Sequence, residues 1–493
     1  MTGRPSVQTA TGVVRGVWRG ASAAFLGIPF AEAPVGPLRF AAPVAARPWD
    51  GERDASAYGP TPQRRPFGDV TTIPEPSVPG DATLNLNVFT PAPGAVSAAL
   101  PVLVWVHGGG FFAGSPASPW YDGASFNRDG VVTVSLSYRL GFDGFGWIED
   151  APTNRGLRDL VRGLEWVRDN IAGFGGDPTR VTIAGQSAGG TAVLALLASP
   201  AARGLFAQVI AHSPARLALT GDRAQEIGRG FAVAAGVEPT RAGWSVLSED
   251  AVLDAQQAFM ASGDAPPPSP AGFVRATLAR GGVGLPFVPA TGDDVLPVPV
   301  GAGLAHGGAG VRLLAGTVAH EFTPMPQPVR DAWSGVDPCA ALTEGGLDPR
   351  AARAWVEAQP DIAWTADFCG QLVTDLSFRV PLLRSADARR DGTWLYDFRW
   401  PAPGVGLSFH CLDLPFAWDL LSAEGVATVA GPNPPRELAD AMHGAWVRFI
   451  STGDPGWGRW DGHNARVFGA AGEDTYAASR ILADALGLPD EPS

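Results

Sequence analysis

The chain reads as an α/β protein with helices on both faces of a mostly parallel central sheet. Three observations predict this. Apolar runs of strand length recur along the sequence and are separated by longer stretches with helical spacing. Runs such as PVLVWV at 101–106 and VRLLA at 311–315 are near-continuous, which is the pattern of strands buried on both faces. Of the 493 residues, 45% are hydrophobic and 17% charged, ample material for a large core. Length alone would give about three domains. Large α/β enzymes often carry one sheet across such a length, however, and we expect a single domain over 1–493 with an insert at about 215–310.

The elements follow in order. The first 45 residues read as a small N-terminal β-piece, short strands with glycine turns such as Thr11–Val17, leading into a proline-rich passage. Residues 61–80, TPQRRPFGDVTTIPEPSVPG, are turn-rich and predict a surface loop bordering a pocket. Buried strands are expected at 101–106, 131–137, 181–184, 207–211, 311–315 and 393–398. Between Asn154 and Ala172, Leu157, Leu160, Val161, Leu164, Val167 and Ile171 form one helical stripe, stopped by glycines at 173 and 175. Near the end, Leu438, Met442, Ala445, Trp446, Phe449 and Ile450 repeat that spacing up to Gly453-Asp454-Pro455. The insert carries the breaker-rich DAPPPSP at 264–270, and no internal repeat is present.

Composition excludes several chemistries. All 36 basic residues are arginine, so neither a lysine Schiff base nor a Gly-Lys-Ser/Thr phosphate loop can form. The missing lysine reads more simply as a codon bias of a GC-rich genome than as a functional demand. The net charge of −13 opposes a nucleic-acid partner. Cys339, Cys369 and Cys411 make an odd count with no disulfide framework, which fits a reducing compartment. The amino terminus MTGRPSVQTATG is polar, and runs such as Leu100–Val106 and Ala192–Ala198 are too short to span a bilayer. The expectation is a cytoplasmic protein with no membrane partner.

The chemistry centres on VTIAGQSAGG, residues 181–190, where a strand-like run stops at Gly185-Gln186-Ser187-Ala188-Gly189 and a small-residue helix begins. A serine on such a turn has its hydroxyl pushed clear of the backbone. With 63 glycines and 25 serines, chance alone supplies about 0.4 matches to this pattern, so its context must carry the assignment. A serine nucleophile needs a histidine to take its proton and a carboxylate to hold that histidine. In strand-turn-helix hydrolases the order is Ser, acid, His, which removes His107. His443 lies inside the terminal helix and His463 in a polar stretch, while His212 follows the serine too soon to leave room for an acid. His410 ends a glycine-bearing loop after a predicted strand and is the expected base. Glu321, five residues beyond Gly316, is the expected acid, with His320 structural or at the rim. The run His107-Gly108-Gly109-Gly110 can turn backbone N–H groups toward a developing oxyanion, joined by the N–H of Ala188.

The same glycines fit a dinucleotide fingerprint, Gly108 to Ala113, with Asp129 near the ribose-binding position. That reading fails because Gly114, Pro116 and Pro119 follow, leaving no helix to carry a pyrophosphate.

With these residues in view the chain resembles the type-B carboxylesterases, the cholinesterase-like branch of the α/β-hydrolase fold that includes bacterial p-nitrobenzyl esterases. The likeness lies in GIPFAEAPVGPLRF (27–40), LNLNVFTP (84–91), VLVWVHGGGFFAGS (102–115), YRLGFDGF (138–145), the long block 154–190, GTVAHEF (316–322) and FHCLDLPFAWDL (409–420). The resemblance implies a triad of Ser187, Glu321 and His410 and an oxyanion hole from Gly109, Gly110 and Ala188. It also implies a supporting hydroxyl at Ser213 near the histidine and acid. Two departures stand out. Relatives usually carry Glu before the nucleophile where this chain has Gln186, which predicts a less stabilised imidazolium and less favour for cationic substrates. The usual Glu-Asp-Cys opening before LNLNV is Asp81-Ala82-Thr83, which removes a disulfide cysteine and leaves Asp81 as the candidate partner of Arg39.

The expected function is therefore a serine hydrolase acting on small-molecule carboxylic esters through an acyl-enzyme, with no metal and no cofactor. Alternatives are a non-catalytic binding protein of the same fold and a hydrolase preferring amides or carbamates. Phe111, Phe112, Phe142, Phe145 and Phe322 are the candidate pocket aromatics.

Overall fold

The computed structural model describes residues 3–63, 65, 71–261, 269–308, 310–470 and 475–487. Met1 and Thr2, part of the loop expected at 61–80, and all of DAPPPSP except Ser269 and Pro270 lie outside the described residues.

The strands, in chain order, are β1 Ser6–Thr9, β2 Gly12–Arg15, β3 Val17–Arg19, β4 Ser22–Pro29, β5 Glu52–Asp54, β6 Asn85–Thr90, β7 Leu100–Val106, β8 Val132–Leu136, β9 Gly176–Gln186, β10 Gln208–His212, β11 Arg312–Val318, β12 Thr393–Phe398 and β13 Ala465–Phe468. Ten of them form one sheet in the order β13-β12-β11-β10-β9-β7-β8-β6-β4-β3. The block from β13 to β8 is parallel, and β6, β4 and β3 continue it antiparallel. β6, β8 and β12 are buried along their whole length, so that even their polar residues, such as Asn87, Ser135 and Asp397, lie inside the protein.

The N-terminal β-piece is only partly separate. β1, β2 and β5 make a small sheet of their own, but β4, whose SAAFLGIP is almost wholly buried, is built into the large one. β13 extends the far edge and was not foreseen; its four residues are too few and too exposed to show a pattern.

The helix Arg155–Asn170 buries Leu157, Leu160, Leu164 and Val167 against the sheet. The helix Arg436–Thr452 buries Met442, Trp446, Phe449 and Ile450 and stops at Gly453, whose φ of 75° ends it in the left-handed conformation. The segment between β10 and β11 is helical, with Gly221–Ala235, Glu249–Ala261 and Pro270–Arg280 as its longest pieces. A second helical stretch, absent from the sequence expectation, lies between β11 and β12. Its signals are two Asp-Pro pairs. Asp337 caps Cys339 and Ala340, and Asp348 caps Arg350 and Ala351, each with proline at the first helical position.

Parallel pairing sets the carboxyl ends of the central strands side by side. Gln186 of β9 pairs with His212 of β10, His212 with Gly316 of β11, and Gly316 with Tyr396 of β12. Loops leaving that edge therefore converge, which is where an open α/β sheet presents its chemistry.

Candidate active site

Ser187 stands between β9 and the helix Ala188–Ala198 with φ 57° and ψ −122°. Such a backbone costs a non-glycine residue about 1–3 kcal/mol and persists only where its surroundings dictate it. Here the Ser187 N–H donates to His212 O at 2.9 Å, and the Thr191 N–H donates to Ser187 O at 2.9 Å. The flanking glycines are steric requirements. A Cβ on Gly189 would lie 2.1 Å from Val106 O, and one on Gly185 would lie 2.4 Å from Gly189 O.

After β7 the chain turns through Gly109 at φ 106° and Gly110 at φ 62°. A Cβ on Gly109 would meet Ala113 O at 2.2 Å. Among the described residues, the N–H groups of Gly109, Gly110 and Ala188 have no hydrogen-bond acceptor, which leaves three donors beside Ser187. The loop is tied down by a hydrogen bond from the Gly114 N–H to the Gln63 side chain and by Tyr138, whose hydroxyl donates to His107 O at 2.8 Å.

His410 follows β12 and meets Glu321, three residues past β11. His410 Nδ1 lies 2.5 Å from Glu321 Oε2, and the His410 N–H donates to Glu321 O at 3.0 Å. The other carboxylate oxygen accepts from the Val318 N–H at 3.0 Å, and Glu321 is buried. Burial opposes a charged imidazole at His410, but Cys411 beside it and the Glu321 carboxylate outweigh burial and hold its pKa well above the ordinary range. The Phe322 and Phe378 rings flank the imidazole at 4.9 and 5.1 Å. On the far side of the ring, Gln186 Nε2 lies 3.1 Å from His410 Nε2. Among the described residues no hydrogen bond joins the Ser187 hydroxyl to that nitrogen; the neighbour in contact is Gln186.

Ser187, Glu321, His410, Gln186, Gly109 and Gly110 all border one cavity of about 660 Å³. Its walls are mainly apolar, with Leu217, Val283 and Leu285 from the helical segment after β10, and Phe378 and Phe409. Leu217, Val283, Leu285 and Phe378 were missed in the sequence because they lie in loops and helices far from any motif, whereas Phe409 and Cys411 flank His410 inside the block 409–420 and could have been read from it.

Of the five candidate aromatics, Phe112 and Phe322 line the cavity. Phe111, Phe142 and Phe145 do not: Phe111 packs on Phe145 at 4.7 Å, and Phe142 sits among Phe40, Phe231, Trp244 and Phe287 in the core. Ser213 is buried directly after β10 at φ 44°, and its hydroxyl has no partner among the described residues, so it donates to neither His410 nor Glu321. Arg39 pairs with Asp143 at 3.5 Å and donates to Leu247 O at 2.8 Å, not to Asp81, which is exposed on a loop. Burial lowers the pKa of His320 to about 4, and its Nδ1 faces Ser408 at 3.3 Å.

Comparison with known proteins places this arrangement in context. The description "Carboxylesterase family" fits residues 3–333. The para-nitrobenzyl esterase of Bacillus subtilis (strain 168) is 34% identical over 465 residues, 91% of this chain and 90% of that protein. The phenmedipham hydrolase of Pseudarthrobacter oxydans is 32% identical over 486 residues, 92% of this chain and 91% of that protein. Among solved structures, a carboxylesterase from Geobacillus stearothermophilus superimposes with a TM-score of 0.81 at 30% identity, covering 97% of this chain and 99% of its own.

Proposed function

Starting from the fact that the chain belongs to the carboxylesterase family and is a carboxylic-ester hydrolase of the α/β-hydrolase fold, we propose that Ser187, His410 and Glu321 carry the reaction. Ser187 Oγ attacks the ester carbonyl while His410 Nε2 takes its proton. Glu321 fixes the tautomer with hydrogen on Nδ1 and stabilises the imidazolium. The N–H groups of Gly109, Gly110 and Ala188 hold the negative oxygen of the tetrahedral intermediate. His410 then returns the proton to the departing alcohol, and water repeats the sequence to free the acid. The observation that carries this reading is the 2.5 Å contact between Glu321 and His410, opening onto the cavity that Ser187 also borders.

The cavity supports apolar esters as substrates. No arginine lines it among the described residues, and its lining includes the carboxylates of Glu75 and Glu321, which disfavour an anionic acyl or alcohol group. The large sheet, with strands from residue 17 to 468, supports reading the chain as one hydrolase domain with its insert between β10 and β11. A cytoplasmic setting fits three unpaired cysteines, and the net charge of −13 disfavours nucleic acid. No helix among the described residues is long and apolar enough to cross a membrane.

Turnover of a p-nitrophenyl ester by Ser187→Ala, His410→Ala and the double variant tests the assignment. Residues acting as one unit give losses that do not add: each single variant should fall by about 10⁶-fold and the double variant no further. Near-parental turnover by either single variant would refute it.

A further inference from the structure

His212, at the end of β10, is wholly buried and touches no part of the cavity, yet it contacts the supports of both the nucleophile and the base. Its carbonyl accepts the Ser187 N–H at 2.9 Å, one of the contacts that hold the strained serine. Its ring is held from two sides. Trp446 Nε1 lies 2.9 Å from His212 Nε2, and an indole N–H can only donate, so this nitrogen presents its lone pair and the ring hydrogen sits on Nδ1. That hydrogen faces Asp413 Oδ2 at 3.0 Å, and the same oxygen accepts from the Tyr396 hydroxyl at 3.0 Å.

Asp413 is three residues beyond His410 on a tight segment. The Leu412 N–H donates to Phe409 O at 3.1 Å, the Leu414 N–H donates to Cys411 O at 3.2 Å, and Cys411 is left-handed at φ 73°. The carboxylate is completely buried, and its second oxygen has no partner among the described residues. Its hold therefore depends on His212 and Tyr396.

We propose that His212 is a positioning residue that fixes the distance between Ser187 and His410, its carbonyl holding the serine turn and its imidazole holding, through Asp413, the segment that carries the base. Glu321 sets the orientation of the His410 ring, whereas His212 sets where the ring's segment lies relative to the serine. Trp446 makes the clamp directional by keeping the hydrogen of His212 on the Asp413 side. A slackened clamp moves the base relative to the serine but leaves the apolar walls from Leu217, Val283, Leu285 and Phe378 in place, so the loss falls mainly on kcat and not on KM. An ångström of misplacement is enough to cost about 10²-fold in rate.

The inference rests on the assignment of Ser187 and His410, and the test keeps the two apart. Parent, His212→Phe, His212→Asn and Tyr396→Phe are titrated with a fluorophosphonate, the adduct is mapped, and kcat and KM for a p-nitrophenyl ester are taken per titrated site. The asparagine amide can stand in for the Nδ1 donor, and Tyr396→Phe deletes a single oxygen if His212→Phe folds poorly. The expected result is a kcat about 10²-fold lower in His212→Phe with KM within about threefold. His212→Asn should recover most of that loss, and Tyr396→Phe should show a smaller fall, again in kcat alone. Parental kcat per site in His212→Phe, or in Tyr396→Phe where that is the variant that folds, would overturn the clamp. So would no recovery in His212→Asn, or a change confined to KM. A parent that takes no label at Ser187 would instead overturn the triad, and the clamp with it.

Discussion

The side-chain nitrogen of Gln186 lies 3.1 Å from Nε2 of His410, the atom proposed to take the Ser187 proton. With Nδ1 facing Glu321, the neutral ring carries its lone pair on Nε2, and in that state the Gln186 amide donates to it. An amide here supports the neutral, base-ready ring. A carboxylate could not donate and would favour the imidazolium instead.

Gln186→Glu should therefore raise the proton affinity of His410. The rising limb of kcat/KM against pH should move up by about one unit, since a carboxylate at this distance shifts a neighbour by 1–3 units. Cationic esters should gain relative to neutral ones. An unchanged pH profile together with an unchanged preference would show that residue 186 does not act on the base.

The pH dependence of the parent follows from His410 itself. Its pKa is held above the ordinary histidine value of about 6.5 by Cys411 and Glu321 against the opposing effect of burial. Only the neutral ring can act as base, so kcat/KM should rise with pH through a midpoint above about 6.5. The stability tied to this proton has the opposite sense: fully present below about 6.5, it is lost as pH rises through the folded-state value. Glu321→Gln removes the stabilising charge. Its midpoint should fall and its kcat drop by about 10⁴-fold. A variant with an unmoved midpoint would assign the raised affinity to something other than Glu321.

Gly109 has a left-handed backbone, and a Cβ there would meet Ala113 O at 2.2 Å. Gly109→Ala must displace the loop and with it a proposed oxyanion donor. We expect kcat to fall by about 10²–10³-fold while the melting curve stays cooperative. Parental kcat would remove Gly109 from the reaction.

The apolar walls predict chain-length dependence. Across p-nitrophenyl esters of increasing acyl length, KM should fall by about fourfold per methylene, the equivalent of about 0.8 kcal/mol, until the 660 Å³ cavity is filled. A flat series would place the acyl group in solvent.

Much of this was legible in the sequence where local rules act. The strand, glycine turn and small-residue helix around Ser187 are written in ten consecutive residues, and the order of Glu321 and His410 after their strands follows from parallel topology. What was not legible depends on long-range packing. Phe111 and Phe112 are neighbours, yet one packs on Phe145 and the other lines the cavity, because a glycine loop has no fixed side-chain period. Arg39 finds Asp143 instead of Asp81, a choice made by tertiary contacts over a hundred residues apart. His212 was set aside as the base by its position, and nothing near it in sequence points to its contacts, since its partners Tyr396, Asp413 and Trp446 come 184, 201 and 234 residues later.

The proposed role of Ser187 as nucleophile is tested most directly by fluorophosphonate labelling of the protein followed by peptide mapping. One adduct per chain is expected on Ser187, formed in step with the loss of esterase activity and absent from Ser187→Ala. Equal labelling of Ser187→Ala, or complete inactivation with the adduct on another residue, would contradict it.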